Sequence, residues 1–472
     1  MNERFDVVVV GSGAGGGVVA GELAQRGRRV LLLECGPHQT AADFTRWEAK
    51  ATHDLFWPIR FALIDGGAGG AVGLVAGRCV GGSTTINTKV ALRAHAKDLA
   101  KWHEASGLVV ELDPHYDRVE KRLGVRERTD WPKSVRTVEP GFRALGAELE
   151  PVRSYTDANC MRCGSCLQGC PTNAGKSTLN TYIHDAWAAG RLELRADSRV
   201  DRVLIEDGEA VGVEYVDRDG VTKLVDAGAV VVAAGTLNTP QLLLRSGLAD
   251  SPSSRLIGRN LGFHPARLVY GLFDEPQDAH MVYPITAHAM GHQHDEDGGF
   301  VIEATTIQDP IGFATTLEDE NGPLWGTALV EAVKKFRHWA GLLVMVNDDN
   351  NGSVQLNENG EESFEAAFAA GERERMDGAL EFTREVLTAA GASRVRWTGL
   401  ITTHVQGTCR MGSDPERSVV DADGQSWDVK RLYVGDGSLV PRTLSVNPSL
   451  TIMALANRLA DHLHADPHGY LA

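Results

Sequence analysis

The sequence predicts an α/β fold, in which a Rossmann-like half is interleaved along the chain with an α+β half that contains an antiparallel sheet. Three observations predict it. A strand, a glycine-rich turn, a helix and a second strand follow one another in the first 34 residues. Strand-like runs of the same kind return between 192 and 235, and short apolar runs of a different kind fill 266 to 350.

Phe5-Asp6-Val7-Val8-Val9-Val10 is rich in β-branched residues and reads as a parallel strand covered on both faces. Gly11-Ser12-Gly13-Ala14-Gly15-Gly16 supplies the turn, Val18 to Arg26 the helix, Gly27 its stop and Val30 to Glu34 the second strand, which completes a βαβ unit. From Gly36 to Arg93 the chain is glycine-rich and reads as largely irregular. Residues 101 to 185 form a mixed insert holding four of the seven cysteines. Leu192-Glu193-Leu194 and Val200 to Val213 suggest paired strands, and Ala229 to Gly235 another buried one. Phe300 to Ala304 and Leu342 to Val346 suit an antiparallel sheet, although their alternation is not strict. Glu372 to Ala389 has helical spacing and ends before Gly391. There is no internal repeat and no low-complexity tract. Nucleotide-type segments at the start, middle and end assign 1–100, 186–265 and 398–472 to one domain, and 101–185 and 266–397 to the other.

Composition narrows the function classes. The 472 residues carry a net charge of −16, so the molecular field repels phosphate backbones and anionic lipid, and nucleic acid is excluded as a partner. No apolar run approaches the roughly 20 residues of a membrane span, and Met1 to Asp6 leads into a strand without the regions of a signal peptide. The expectation is a soluble, cytoplasmic protein. Glycine accounts for 52 residues, well above the roughly 7% of average composition, so much of the backbone turns tightly or approaches something closely.

Gly11, Gly13 and Gly16 follow a strand, open a helix and are answered by Glu34 at the end of the next strand. That context makes a dinucleotide site. The glycines let backbone approach a pyrophosphate, the helix N-terminus offers N–H groups and positive dipole, and the carboxylate can accept from ribose hydroxyls. The motif alone does not separate NAD from FAD.

Gly77-Arg78-Cys79-Val80-Gly81-Gly82-Ser83-Thr84-Thr85-Ile86-Asn87 resembles the first signature of the glucose-methanol-choline (GMC) oxidoreductases. Gly235 to Leu244 is similar to the second, and Gly258 to Pro265 to the stretch after it. His404-Val405-Gln406-Gly407-Thr408-Cys409-Arg410-Met411-Gly412, Asp436-Gly437-Ser438 and Asn447-Pro448 resemble the catalytic end. The matches run in family order over nearly the whole chain. The resemblance implies an FAD-binding domain, with Gly81, Gly82, Ser83 and Asn87 at the flavin, Val200 meeting the adenine through its backbone and Asp436 near the ribityl or pyrophosphate. It implies His404 as catalytic base and Asn447 as the residue assisting it. Alcohol oxidation needs a base for the hydroxyl proton while hydride leaves the same carbon, which suits a histidine. Asn447 is also a good N-cap for a helix starting at Pro448. Covalently flavinylated members carry His at about the place of Ile86, so the resemblance implies non-covalent FAD.

Cys160-x2-Cys163-x2-Cys166-x3-Cys170-Pro171 has the spacing of iron–sulfur ligation. Zinc and structural thiols stand beside that reading. A cluster would pass electrons from reduced flavin to an acceptor protein. His280, His288, His292 and His294 match no metal-site spacing and read as lid or surface residues. The expected activity is FAD-dependent oxidation of a small-molecule alcohol to a carbonyl. A lyase using FAD without redox change and an iron–sulfur electron-transfer flavoprotein are the alternatives.

Overall fold

In the computed structural model, residues 3–67, 70–307, 309–368 and 370–471 are described. Strand Arg4–Val10, helix Gly16–Gln25 and strand Val30–Leu33 form the predicted opening unit. Among the described residues it belongs to a seven-stranded sheet. Arg4–Val10 pairs in parallel with Val30–Leu33 on one side and with Thr222–Val232 on the other. Val30–Leu33 takes Leu192–Arg195 as its next parallel neighbour, and Leu432–Val434 lies parallel to the end of Thr222–Val232. The hairpin Arg199–Glu206 and Glu209–Val216 completes the sheet through antiparallel pairs. Val7, Val8, Val9, Val230 and Val231 are all fully buried, which explains their unbroken apolar runs: both faces of the strands are covered. Helix Ser449–Ala465 packs beside Gly16–Gln25 over this sheet.

A second, larger sheet of mainly antiparallel strands contains Ala266–Leu272, Ile285–Ala289, Phe300–Thr305 and Trp339–Val346. The two runs expected to pair do so, with Phe300 opposite Val346 and Thr305 opposite Gly341. Alternation is weak because both faces are covered. Ile302, Ala304, Leu342, Val344 and Val346 pack on one face with Phe142 and Val386 from helices Lys133–Ala144 and Ala370–Ala389. Val301, Met345 and Ala266 form a separate cluster with Met290, Leu343 and Ile401.

The stretch from Gly36 to Arg93 is more regular than its sequence predicts. It holds helix Glu48–Leu55 and strands Arg60–Ile64 and Ala71–Leu74, both joined to the larger sheet. These strands are too short for period-two patterning to stand out among the glycines; Ala62, Ile64, Val72 and Leu74 nonetheless form their own buried cluster. Among the described residues, no helix is long and apolar enough to cross a membrane.

Candidate active site

The glycine turn is shaped by contacts that admit no side chain. A Cβ on Gly11, which sits at φ +95°, would lie 2.2 Å from the carbonyl oxygen of Ala233. One on Gly15 would lie 1.7 Å from the Gly435 oxygen, and one on Gly16 1.9 Å from the Gly11 oxygen. Gly13 is different, because a Cβ there would meet no atom within 4 Å. The turn thus offers bare backbone to open space at Gly13, at the start of a helix that no side chain caps. Such a cradle fits a pyrophosphate.

Glu34 is buried, and its Oε2 accepts from Ser12 N at 3.0 Å and Ser12 Oγ at 2.6 Å while Oε1 accepts from Gly36 N at 2.9 Å. The carboxylate therefore fixes the turn: Ser12 takes both acceptor sites of Oε2, and Gly36 N and the Cys35 thiol lie on Oε1. Ser198 N donates to the Glu34 carbonyl at 2.8 Å, which brings Val200 to this end of the sheet, opposite Tyr215 in the hairpin.

Gly81 and Gly82 both adopt positive φ and turn the chain against Gly13. Ser83 Oγ accepts from Gly77 N at 3.0 Å, Asn87 Nδ2 donates to the Tyr155 hydroxyl at 2.6 Å, and Ile86 is buried beside Ala51 and Leu55. Asp436 is a junction: Oδ2 accepts from Gly235 N and Thr239 Oγ1, and Oδ1 from Ser438 N. Lys89 escaped sequence reasoning. It is buried, its Nζ donates to the carbonyls of Thr84 and Thr85, and burial pulls it down to about 8. A lysine closing the first signature onto itself gives no local sequence signal.

His404 follows strand Ile401–Thr402, and His264 precedes strand Ala266–Leu272; because Ala266 lies opposite Ile401 in antiparallel register, the two histidines meet. Their Nδ1 atoms are 3.2 Å apart. Thr402 ties the segments together, its hydroxyl donating to the Phe263 carbonyl and accepting from His404 N at 3.0 Å. Removal from water pushes the His404 ring down to about 4, so it is neutral near pH 7. Burial, followed by the neighbouring charge on His404, holds His264 well below the usual histidine value.

Asn447 is buried, and its Oδ1 has no hydrogen-bond partner among the described residues. It does not cap the following helix, which begins at Ser449 with Pro448 in the cap position and no side-chain cap bond. Its side chain instead lies beside the Glu303 carboxyl group. Glu303, 1% exposed on strand Phe300–Thr305, was also missed by sequence reasoning. Burial pushes it up to about 8, and the Asn447 amide beside it acts weakly in the opposite direction. It is opposite His288 in the sheet. His288 is buried, lacks a partner for Nδ1 and is pushed down to about 4 by burial. The apolar cluster of Ala266, Val301 and Met345 lies next to two of these groups along the chain: Ala266 starts the strand after His264, and Val301 is two residues from Glu303 on the same face.

The metal expected at Cys160, Cys163, Cys166 and Cys170 is not supported. Among the described residues no group of three or more His, Cys, Asp or Glu is arranged to hold an ion. The four thiols line a cavity of about 10 Å³, room for one water. Burial pushes Cys166 up to about 12. Cys170 lies below its usual value: burial raises it, but the Gly175 N–H, Thr172 and the Lys89 charge outweigh that. Among the clustered histidines, His292 stacks on Phe300 and His280 packs on Phe336.

Family models described as GMC oxidoreductase match residues 5–266 and 348–456. An uncharacterized GMC-type oxidoreductase of Mycobacterium tuberculosis is 33% identical over 97% of this chain and 75% of its own length. A long-chain-alcohol oxidase of Arabidopsis thaliana is 30% identical over 96% of this chain and 66% of its own. A 2-methyl-1,2-propanediol dehydrogenase of Mycolicibacterium austroafricanum is 29% identical over 98% of this chain and 95% of its own. The chain thus spans two thirds to three quarters of the first two. Among solved structures, pyridoxine 4-oxidase from Mesorbium loti superposes with a TM-score of 0.76 over 98% of this chain and all of its own, at 22% identity, and so shares the fold.

Proposed function

Because this chain belongs to the GMC oxidoreductase family, we propose that it is an FAD-dependent alcohol oxidoreductase that converts the CH–OH group of an apolar alcohol to a carbonyl. The relatives named above, a long-chain-alcohol oxidase and a diol dehydrogenase, support an alcohol substrate, and the first supports an apolar one. The observation that carries the reading is His404, held neutral by burial and in contact with His264 just before strand Ala266–Leu272, together with a buried Asn447 whose side chain caps no helix.

FAD, when bound, supplies the two-electron acceptor for the hydride leaving the alcohol carbon. Gly11, Gly13 and Gly16 cradle its pyrophosphate, Glu34 and Val200 serve its adenosine end, and Gly81, Gly82, Ser83, Asn87 and Asp436 lie along the rest. Ile86 offers no atom for a covalent flavin bond, so the cofactor is dissociable. His404 accepts the hydroxyl proton and is poised to do so because burial keeps its ring uncharged. Asn447 donates an amide N–H to the alcohol oxygen as charge grows there. Ala266, Val301, Leu343 and Met345 exclude water and accept the apolar part of the substrate. The 1–100, 186–265 and 398–472 segments carry the cofactor, and 101–185 and 266–397 shape the substrate side.

Anaerobic addition of a long-chain primary alcohol is the test. We expect the flavin to bleach, and its colour to return on admitting either air or an acceptor protein, which also identifies the oxidant. His404→Ala should keep its flavin and lose about 10²–10⁴ in the bleaching rate, the usual contribution of a general base. Turnover with the flavin still oxidised would instead establish a lyase.

A further inference from the structure

The contact between His404 and His264 carries a consequence for the proton that the reaction moves. A 3.2 Å separation of two Nδ1 atoms is a hydrogen bond, and it holds a single proton. If His264 donated that proton, His404 would carry its own on Nε2 and could not accept another there. If His404 donates it, His404 Nε2 is bare. We propose that His264 is a positioning residue that accepts the Nδ1–H of His404, fixing His404 in the tautomer whose Nε2 faces the substrate as a base. This rests on the reading of His404 as the base.

The surroundings of His264 are built to hold it still. Its backbone adopts φ +47°, a left-handed conformation uncommon for a residue with a side chain. Asp348, itself buried, enforces that turn: its Oδ2 accepts from the backbone N–H of both Phe263 and His264. Thr402 then links the Phe263 carbonyl to the His404 amide. Ring and backbone are thus both fixed, and the two imidazoles lie at 32° to each other with centroids 5.3 Å apart. His264 Nε2 is buried with no partner among the described residues. In the proposed tautomer it carries an N–H that the chain leaves unpaired, an expense of the sort found where function over-determines a side chain.

The proton accounting closes. The alcohol O–H proton goes to His404 Nε2, the C–H bond breaks with its electron pair leaving to the bound FAD, and the carbonyl forms. His404 becomes an imidazolium whose Nδ1–H still donates to His264, so the same bond that selects the tautomer also stabilises the cation. His264 remains neutral throughout because its burial opposes a second charge.

The test uses the holoenzyme labelled with 15N-histidine, with the His404 signals identified by their loss in His404→Ala. We expect His404 as the Nδ1–H tautomer in the wild type near neutral pH. His264→Asn keeps an acceptor near the Nδ1 position and tolerates positive φ, so it should retain that tautomer and most of the rate of flavin reduction. His264→Leu should shift His404 to Nε2–H and slow flavin reduction by the alcohol about 10- to 100-fold, as for loss of a group that orients another. A wild-type His404 protonated on Nε2 overturns the proposal even if the leucine variant fails to fold. So does a folded His264→Leu with unchanged tautomer and rate. Unchanged bleaching in His404→Ala would defeat the functional reading instead.

Discussion

His404 and Glu303 are driven by the same removal from water in opposite directions, and each makes a prediction. As the proposed base, His404 would act only when neutral, and its ring is pushed down to about 4. The rate constant for flavin reduction at low substrate should therefore climb as pH passes through about 4 and be level above about pH 6, measured by anaerobic stopped flow. Glu303, pushed up to about 8 from an ordinary 4.5, binds a proton when folded that the unfolded chain has released between those values. Its contribution to stability is complete below pH 4.5 and falls away as pH rises through 8. Glu303→Gln removes that alkaline decline, so urea midpoints of variant and wild type should diverge in the variant's favour from pH 5 to pH 8. His404 and His288 work the other way, costing stability as pH falls from 6.5 towards 4. At this scale the sequence was partly readable. His404 and Asn447 sit in a contiguous C-terminal pattern, whereas His264 gains its meaning only from a partner 140 positions away. Glu303 left one trace, a charge inside the apolar run Phe300-Val301-Ile302-Glu303-Ala304. A carboxylate there has to be neutral or paired.

The strand, turn and helix at the N-terminus were legible because every contact that shapes them is either local or demanded by a ligand. Their glycines are not equivalent. Gly15→Ala drives a methyl group into the Gly435 carbonyl and should destabilise the protein by about 1–3 kcal/mol, as overpacking does, with loss of flavin. Gly13→Ala meets nothing in the protein. It should leave the melting temperature of the flavin-free protein unchanged and weaken flavin binding, because the methyl enters the space proposed for the pyrophosphate. Melting curves and flavin fluorescence on both variants separate the two effects. The strands Arg60–Ile64 and Ala71–Leu74 were illegible for the converse reason. Beyond their own hairpin, they are fixed by long-range pairing with 401–402 and 362–366, which no window of local sequence contains.

Across the whole molecule, the site is assembled from parts that the chain reaches at widely spaced times: the turn at 11–16, strand Phe300–Thr305, His404 and Asn447. No contiguous half contains it. Release of flavin and loss of tertiary structure on heating should therefore coincide, and added FAD should raise the midpoint with its concentration, since it binds the folded chain alone. A flavin signal that disappears well below the unfolding transition would mean that the cradle opens by itself. The alternation along Trp339–Val346 has a practical reach beyond the native reaction. Leu342, Val344 and Val346 lock the strand to the helices behind it, while Leu343 and Met345 belong to the opposite cluster. Because neighbours on one strand answer to separate layers, a combinatorial library confined to Leu343, Met345 and Val301 recolours the wall proposed to meet the substrate and leaves the scaffold's own joinery untouched. Chain-length preference could then be evolved as a surface property of a single ribbon.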